Sequence, residues 1–144
     1  MKTLQHCLVI TFALSLAAGC TSAAGTAPSS TRPRPKAVTK TVTDRDKGTT
    51  VTLHVGDGLK VALASTYWTI HESPKPRVMR TDGAQVTTPG LNACVPGGGC
   101  GTASRMFTAA AKGTTTVSAS RTTCGEALLC TGGNGKFSIT VVVK

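Results

Sequence analysis

The chain has 144 residues, with sixteen Lys and Arg against six Asp and Glu and a net charge of +10. That length allows one domain once the ends are set aside. Aromatics are only 3% of the residues, too few to interleave with basic groups on a folded face, which excludes an RNA- or DNA-binding surface. Much of the positive excess also lies outside the segment that reads as folded. A core must be built mainly from Val, Leu, Ile and Ala, with Trp68, Phe107 and Phe137 as its bulky pieces. Abundant Gly and Thr, and no long run of helical period, favour short strands and turns, hence an all-β domain.

Residues 1–19 carry Lys2 and an apolar run from Cys7 to Ala18. This is the build of a secretory signal peptide rather than of a membrane span. Its end, Leu16-Ala17-Ala18-Gly19-Cys20, resembles a bacterial lipobox, in which the cysteine is lipid-modified and the chain is cut before it. Ala17 stands where that motif usually has Leu, with Leu16 one place earlier. The resemblance implies a lipoprotein held at the outer face of the cell membrane through Cys20. Ordinary cleavage near Ser22, Ala23 and Ala24 would instead release a secreted soluble protein.

Residues 20–47 are rich in Ser, Thr, Ala and Pro around Arg32-Pro33-Arg34-Pro35-Lys36. Such a segment cannot support a core and reads as a disordered tether. As a flexible coil it would have a root-mean-square reach on the order of 30 Å. Its basic residues (Arg32, Arg34, Lys36, Lys40, Arg45 and Lys47) suit either an anionic surface or a solvated spacer. Their wide spacing favours the spacer, because dispersed charges are screened by salt.

The folded domain is expected over residues 48–144. Val51, Leu53 and Val55 alternate with polar residues as the inward side of a first strand, and Gly56-Asp57-Gly58 is a turn signal. Leu59 to Leu63 alternates again, and a following strand puts Trp68 and Ile70 on one face. Pro74 and Pro76 end it, since proline cannot donate to a ladder. Residues 77–80 and 84–87 read as two weak strands around the turn Thr81-Asp82-Gly83. Ala103 to Ala110 supplies another strand, with Phe107 and Ala109 inward. Residues 113–144 then form a long antiparallel hairpin, in which Phe137, Ile139, Val141 and Val143 share one face. About seven short strands with frequent turns describe an immunoglobulin-like β-sandwich.

With Cys7 in the signal and Cys20 lipidated, four cysteines remain: Cys94, Cys100, Cys124 and Cys130. In an exported domain they read as two disulfides, for which sequence alone allows three connectivities. Each neighbouring pair encloses five residues, so local bridges are natural, and cross-loop bridges stay open. The C-x5-C spacing fits neither the usual zinc pattern nor a C-x-x-C redox pair, so no metal and no cofactor is expected. His54 and His71 sit at exposed strand positions, the few acids lie in or near turns, and no Gly-x-Ser-x-Gly elbow occurs. With its cysteines oxidised, the domain has no evident nucleophile and reads as non-enzymatic.

The order of these features resembles the chagasin family, over roughly residues 49–143. The elements that carry it are Gly56-Asp57 at the first turn, the Trp68 strand, the Gly-rich loop, Phe107, Gly113-Thr114, a strand ending at Arg121, and the Phe137–valine strand. Members of that family are immunoglobulin-like inhibitors of papain-like cysteine peptidases and block the protease cleft with three neighbouring loops. The first loop usually carries Asn-Pro-Thr-Thr-Gly, where this chain has only Ala64-Ser65-Thr66-Tyr67. The second usually reads Gly-x-Gly-Gly, where Gly98-Gly99-Cys100-Gly101 stands here. The third usually has Arg-Pro-Trp, and here Arg121 is followed by Thr122 and Thr123, with Leu128 or Leu129 as substitutes for the aromatic. The resemblance implies a monomeric, surface-tethered inhibitor whose contact edge is Gly98, Gly99, Gly101, Arg121, Leu128 and Leu129, with a papain-like cysteine peptidase as partner. The missing first loop favours the alternative, a non-inhibitory immunoglobulin-like binding or scaffold module of the cell envelope.

Overall fold

The computed structural model describes residues 37–144, apart from 92, 93 and 96. The expected signal peptide, Cys20 and most of the expected tether lie outside the described residues. In chain order the strands are β1 (Thr39–Val42), β2 (Thr50–Leu53), β3 (Gly58–Ala64), β4 (Thr69–Ile70), β5 (Met79–Pro89), β6 (Gly101–Ala109), β7 (Gly113–Ser120), β8 (Thr123–Gly125), β9 (Leu128–Leu129) and β10 (Lys136–Val143). One sheet has the order β1-β3-β6-β5 and the other β2-β10-β7-β4, while β8 and β9 form a small ribbon of their own.

The alternation read from the sequence supplies the core. Phe137, Ile139, Val141 and Val143 of β10 are buried, as are Val117 and Ala119 of β7 and Val51 and Leu53 of β2. From the other sheet come Leu59, Val61 and Leu63 of β3 and Ala103, Phe107 and Ala109 of β6. Period-two patterning on both inner faces makes the two sheets close over one apolar layer, the expected immunoglobulin-like sandwich. Thr115 occupies an inward position of β7, and its hydroxyl is buried without a hydrogen-bond partner.

Four boundaries differ from the sequence reading. The sandwich begins before residue 48, because β1 pairs in parallel with β3 from Thr39↔Gly58 to Val42↔Val61. Val42 is only 1% exposed, and burying that side chain stabilises the fold by about 2 kcal/mol. A 3₁₀ turn (Asp44–Asp46) follows, in which the Asp46 carboxylate accepts from the Thr43 N–H at 2.7 Å and the Asp44 carboxylate accepts from the Ala64 N–H at 2.7 Å. Both carboxylates thus satisfy backbone donors that a solvated tether would leave to water. Val55 is exposed rather than inward, because β2 ends at Leu53 and Val55 belongs to the turn. That turn is held by Asp57, whose carboxylate accepts from the His54 N–H at 2.8 Å and the Val38 N–H at 3.1 Å. The His54 amide first, and the Val38 amide with it, keep the Asp57 carboxyl below its ordinary pKa.

The two weak strands around residue 82 are one strand, β5, with an irregularity between Asp82 and Val86. The extra residues of this bulge direct Gln85 toward the other sheet. Its side chain accepts from the Ile70 N–H and donates to the Trp68 carbonyl, both at 2.7 Å. Arg105 of β6 donates to the Ile70 carbonyl at 2.8 Å. The strand around Trp68 is accordingly short: side chains from β5 and β6 serve the backbone of β4 on the side where no further strand pairs with it.

Candidate functional site

Three connections meet at one end of the sandwich: residues 65–68 between β3 and β4, residues 90–100 between β5 and β6, and residues 121–135 between β7 and β10. The first is short and drawn down. Ser65 N–H donates to the Gly101 carbonyl at 2.8 Å and Thr66 N–H to the Gly99 carbonyl at 2.9 Å. Ser65 itself has φ 123°, a backbone state that costs an L-residue free energy and is tolerated where neighbours fix it. No projecting wedge is left on this connection, in keeping with the missing Asn-Pro-Thr-Thr-Gly.

The second connection is closed by the local disulfide Cys94–Cys100. It lies against Tyr67, whose hydroxyl donates to the Gly97 carbonyl. Gly99, at φ 64°, sits so close to that ring that a Cβ would come 2.3 Å from the Tyr67 Cε2. Gly101 is tighter still: at φ 127° a Cβ would meet the Thr88 carbonyl oxygen at 2.2 Å. Gly98 is half-buried, with Cys94 Sγ and the Val95 carbonyl oxygen each 3.1 Å from where its Cβ would be. These glycines let the loop settle on Tyr67 and the end of β5. Among its described residues, the connection offers Leu91 and Val95 as exposed apolar side chains.

The third connection carries the second local disulfide, Cys124–Cys130. Between these cysteines the chain makes the β8–β9 hairpin, with Gly125 opposite Leu128 and a two-residue turn, Glu126-Ala127. Ala127 takes φ 50° to complete it. The hairpin presents Leu128 and Leu129, 62% and 72% exposed. Adjacent leucines this open on a covalently closed ribbon are available to a partner. The tip also approaches the second connection, since a Cβ on Gly97 would lie 3.7 Å from the Glu126 Cγ.

Arg121, expected on the contact edge, is half-buried. Its guanidinium carbon lies 4.5 Å from the Trp68 ring centroid, so its face is engaged in a cation–π contact with a core residue. Its N–H donates to the Gly135 carbonyl at 2.9 Å, which ties the start of the third connection to its end. Of the six expected contact residues, Gly99, Gly101 and Arg121 thus hold loops in place, Gly98 is half-buried, and Leu128 and Leu129 face outward. Tyr67, the post on which the second loop rests, was not singled out by sequence. The one signal for it was an aromatic directly before Trp68 in a chain nearly devoid of aromatics.

No protein-family model and no curated protein matches the chain. Among solved structures, the chain is similar to the cysteine protease inhibitor EhICP2 from Entamoeba histolytica, with 14% identity and a TM-score of 0.55, covering 77% of this chain and 100% of that one. It is also similar to the solution structure of amebosin, with 14% identity and a TM-score of 0.52, covering 75% of this chain and 98% of that one. At such identity the likeness establishes the fold, an immunoglobulin-like sandwich shared with a cysteine protease inhibitor.

Proposed function

We propose that the chain is a non-enzymatic inhibitor of papain-like cysteine peptidases, tethered to the outer face of a membrane through a lipid on Cys20. The observation that carries this reading is the convergence of three loops at one end, with the exposed Leu128 and Leu129 on the disulfide-closed β8–β9 hairpin. Closing the ring in advance reduces the ordering cost of binding, and two apolar side chains supply the anchor such an interface needs. The fold shared with a cysteine protease inhibitor supports the same reading. The contact edge is centred on the hairpin, because the connection between β3 and β4 is too short and too tightly bonded to enter a cleft.

The test is a titration of the oxidised protein against several papain-like peptidases. Reversible inhibition is expected, fading when the disulfides are reduced and dropping at least about tenfold in the Leu128→Ala/Leu129→Ala double variant. Absence of inhibition by folded protein would sink the proposal. That outcome would leave a binding or scaffold module, the reading favoured by the drawn-down connection of residues 65–68. Membrane attachment is read separately, by fractionation: Cys20→Ala should release the protein, and unchanged association would remove the lipid anchor.

A further inference from the structure

Behind the β8–β9 hairpin, the two ends of the third connection enclose an open hollow of about 440 Å³. Its lining includes Ser120, Arg121, Thr122, Leu129 and Lys136, two cations and two hydroxyls with one leucine, and no carboxylate. The register of the hairpin explains the grouping. Lys136 stands opposite Ser120 across the β10·β7 ladder, so the two side chains share the outer face, and Arg121 follows directly. The Ser120 hydroxyl is held by His71 Nε2 at 2.9 Å.

The cations here lack a counter-charge. Arg121 gives its face to Trp68, its Nε is buried without a hydrogen-bond partner, and neither Arg121 nor Lys136 forms an ion pair among the described residues. A guanidinium without an acidic partner is well matched by a planar carboxylate. The acids of the domain are committed elsewhere. Asp44, Asp46 and Asp57 accept from backbone donors, Glu72 pairs with Arg105 at 3.2 Å, and Asp82 pairs with Arg80 at 2.9 Å. Glu126 remains, but it stands at the exposed hairpin tip, toward Gly97.

We propose that this hollow receives a carboxylate, an Asp or Glu side chain that the partner peptidase carries beside its cleft. The source of the carboxylate rests on the inhibitory reading. The preference for a carboxylate rests on the lining alone. Arg121, already fixed on Trp68, loses little freedom when it meets the anion, and Leu129 on the rim continues into the apolar contact made by the hairpin.

Two measurements on the intact oxidised protein separate the two parts. In the first, backbone amide shifts are followed by NMR while N-acetylglutamate N-methylamide is added, with the glutamine analogue as the uncharged control. Saturable shifts at residues 120–122 and 135–136, in the millimolar range, absent with the control and weakened roughly threefold by Lys136→Gln, are expected. Equal shifts with both probes, or none, would overturn the proposal. Lys136 is exposed, so its replacement should leave the fold intact, whereas Arg121→Gln disturbs Trp68 as well. In the second, Lys136→Gln should slow association with an inhibited peptidase and flatten its dependence on salt. An unchanged rate alongside intact probe binding would overturn the peptidase as the source of the carboxylate. Probe binding by a protein that inhibits no peptidase would support the hollow and overturn the inhibitory reading.

Discussion

The two cysteine loops have the same covalent frame and different structures. Cys94–Cys100 and Cys124–Cys130 are each separated by six positions. The first ring holds Val-Pro-Gly-Gly-Gly, makes no strand among its described residues, and lies on Tyr67. The second holds Gly-Glu-Ala-Leu-Leu, folds as a hairpin, and points two leucines at solvent. Ring size sets how far each loop can reach, and the enclosed residues decide whether it leans on the sandwich or stands away from it. A glycine run has no side chains to pair across a ladder and fits under neighbours. Leu-Leu after a tight turn pairs readily and leaves large side chains exposed.

This contrast can be broken at several points, and the largest effect is expected at the foot of the first loop. Gly101→Ala forces a Cβ against the Thr88 carbonyl at a positive φ, and should cost on the order of 4 kcal/mol in urea unfolding. Next comes removal of either disulfide by paired Cys→Ala replacement. Loop-closure entropy is the same for both rings and gives about 2 kcal/mol each. A measured loss clearly greater for Cys94/Cys100 would be the contribution of the contacts with Tyr67; a greater loss for Cys124/Cys130 would contradict the view that the hairpin stands apart. Ala127→Gly should raise stability by roughly 1 kcal/mol, because Ala127 sits in the left-handed region. A smaller or opposite change in thermal unfolding would place the strain elsewhere in the turn. Smallest of all, Leu128→Ala/Leu129→Ala should alter stability by no more than about 0.5 kcal/mol while removing most of the peptidase affinity. A large loss of stability would mean that the leucines pack on the domain.

Much of the sandwich was legible because alternation of apolar and polar residues is a local property. β2, β3, β6, β7 and β10 all follow from it, and the structure takes the local one of the cysteine pairings that the sequence left open. What escaped depends on contacts distant in sequence. β1 holds a single inward apolar residue, Val42, among Lys and Thr, so nothing local separates it from a tether; its strand character comes from pairing with β3. β4 is cut to two residues because Gln85 and Arg105 take over its outer hydrogen bonds. At the site, Leu128 and Leu129 were readable as apolar residues in a polar loop. The packing of Arg121 on Trp68 was not readable, since the two lie more than fifty positions apart, and the tight seats of Gly99 and Gly101 are equally tertiary in origin.

The position of β10 has a consequence for how the chain reaches its native state. It is the last of the described strands, yet it lies inside its sheet, antiparallel to β7 and parallel to β2, with Thr140 opposite Thr50. Until it arrives, β2 has no neighbour and the second wall of the apolar layer consists of β7 and β4 alone. Such high contact order makes folding slow and late, because the entropy of closing a long loop must be met before the pairing rewards it. A chain stopped before residue 136 has β7 as an edge and half a core, open to pairing with its own kind.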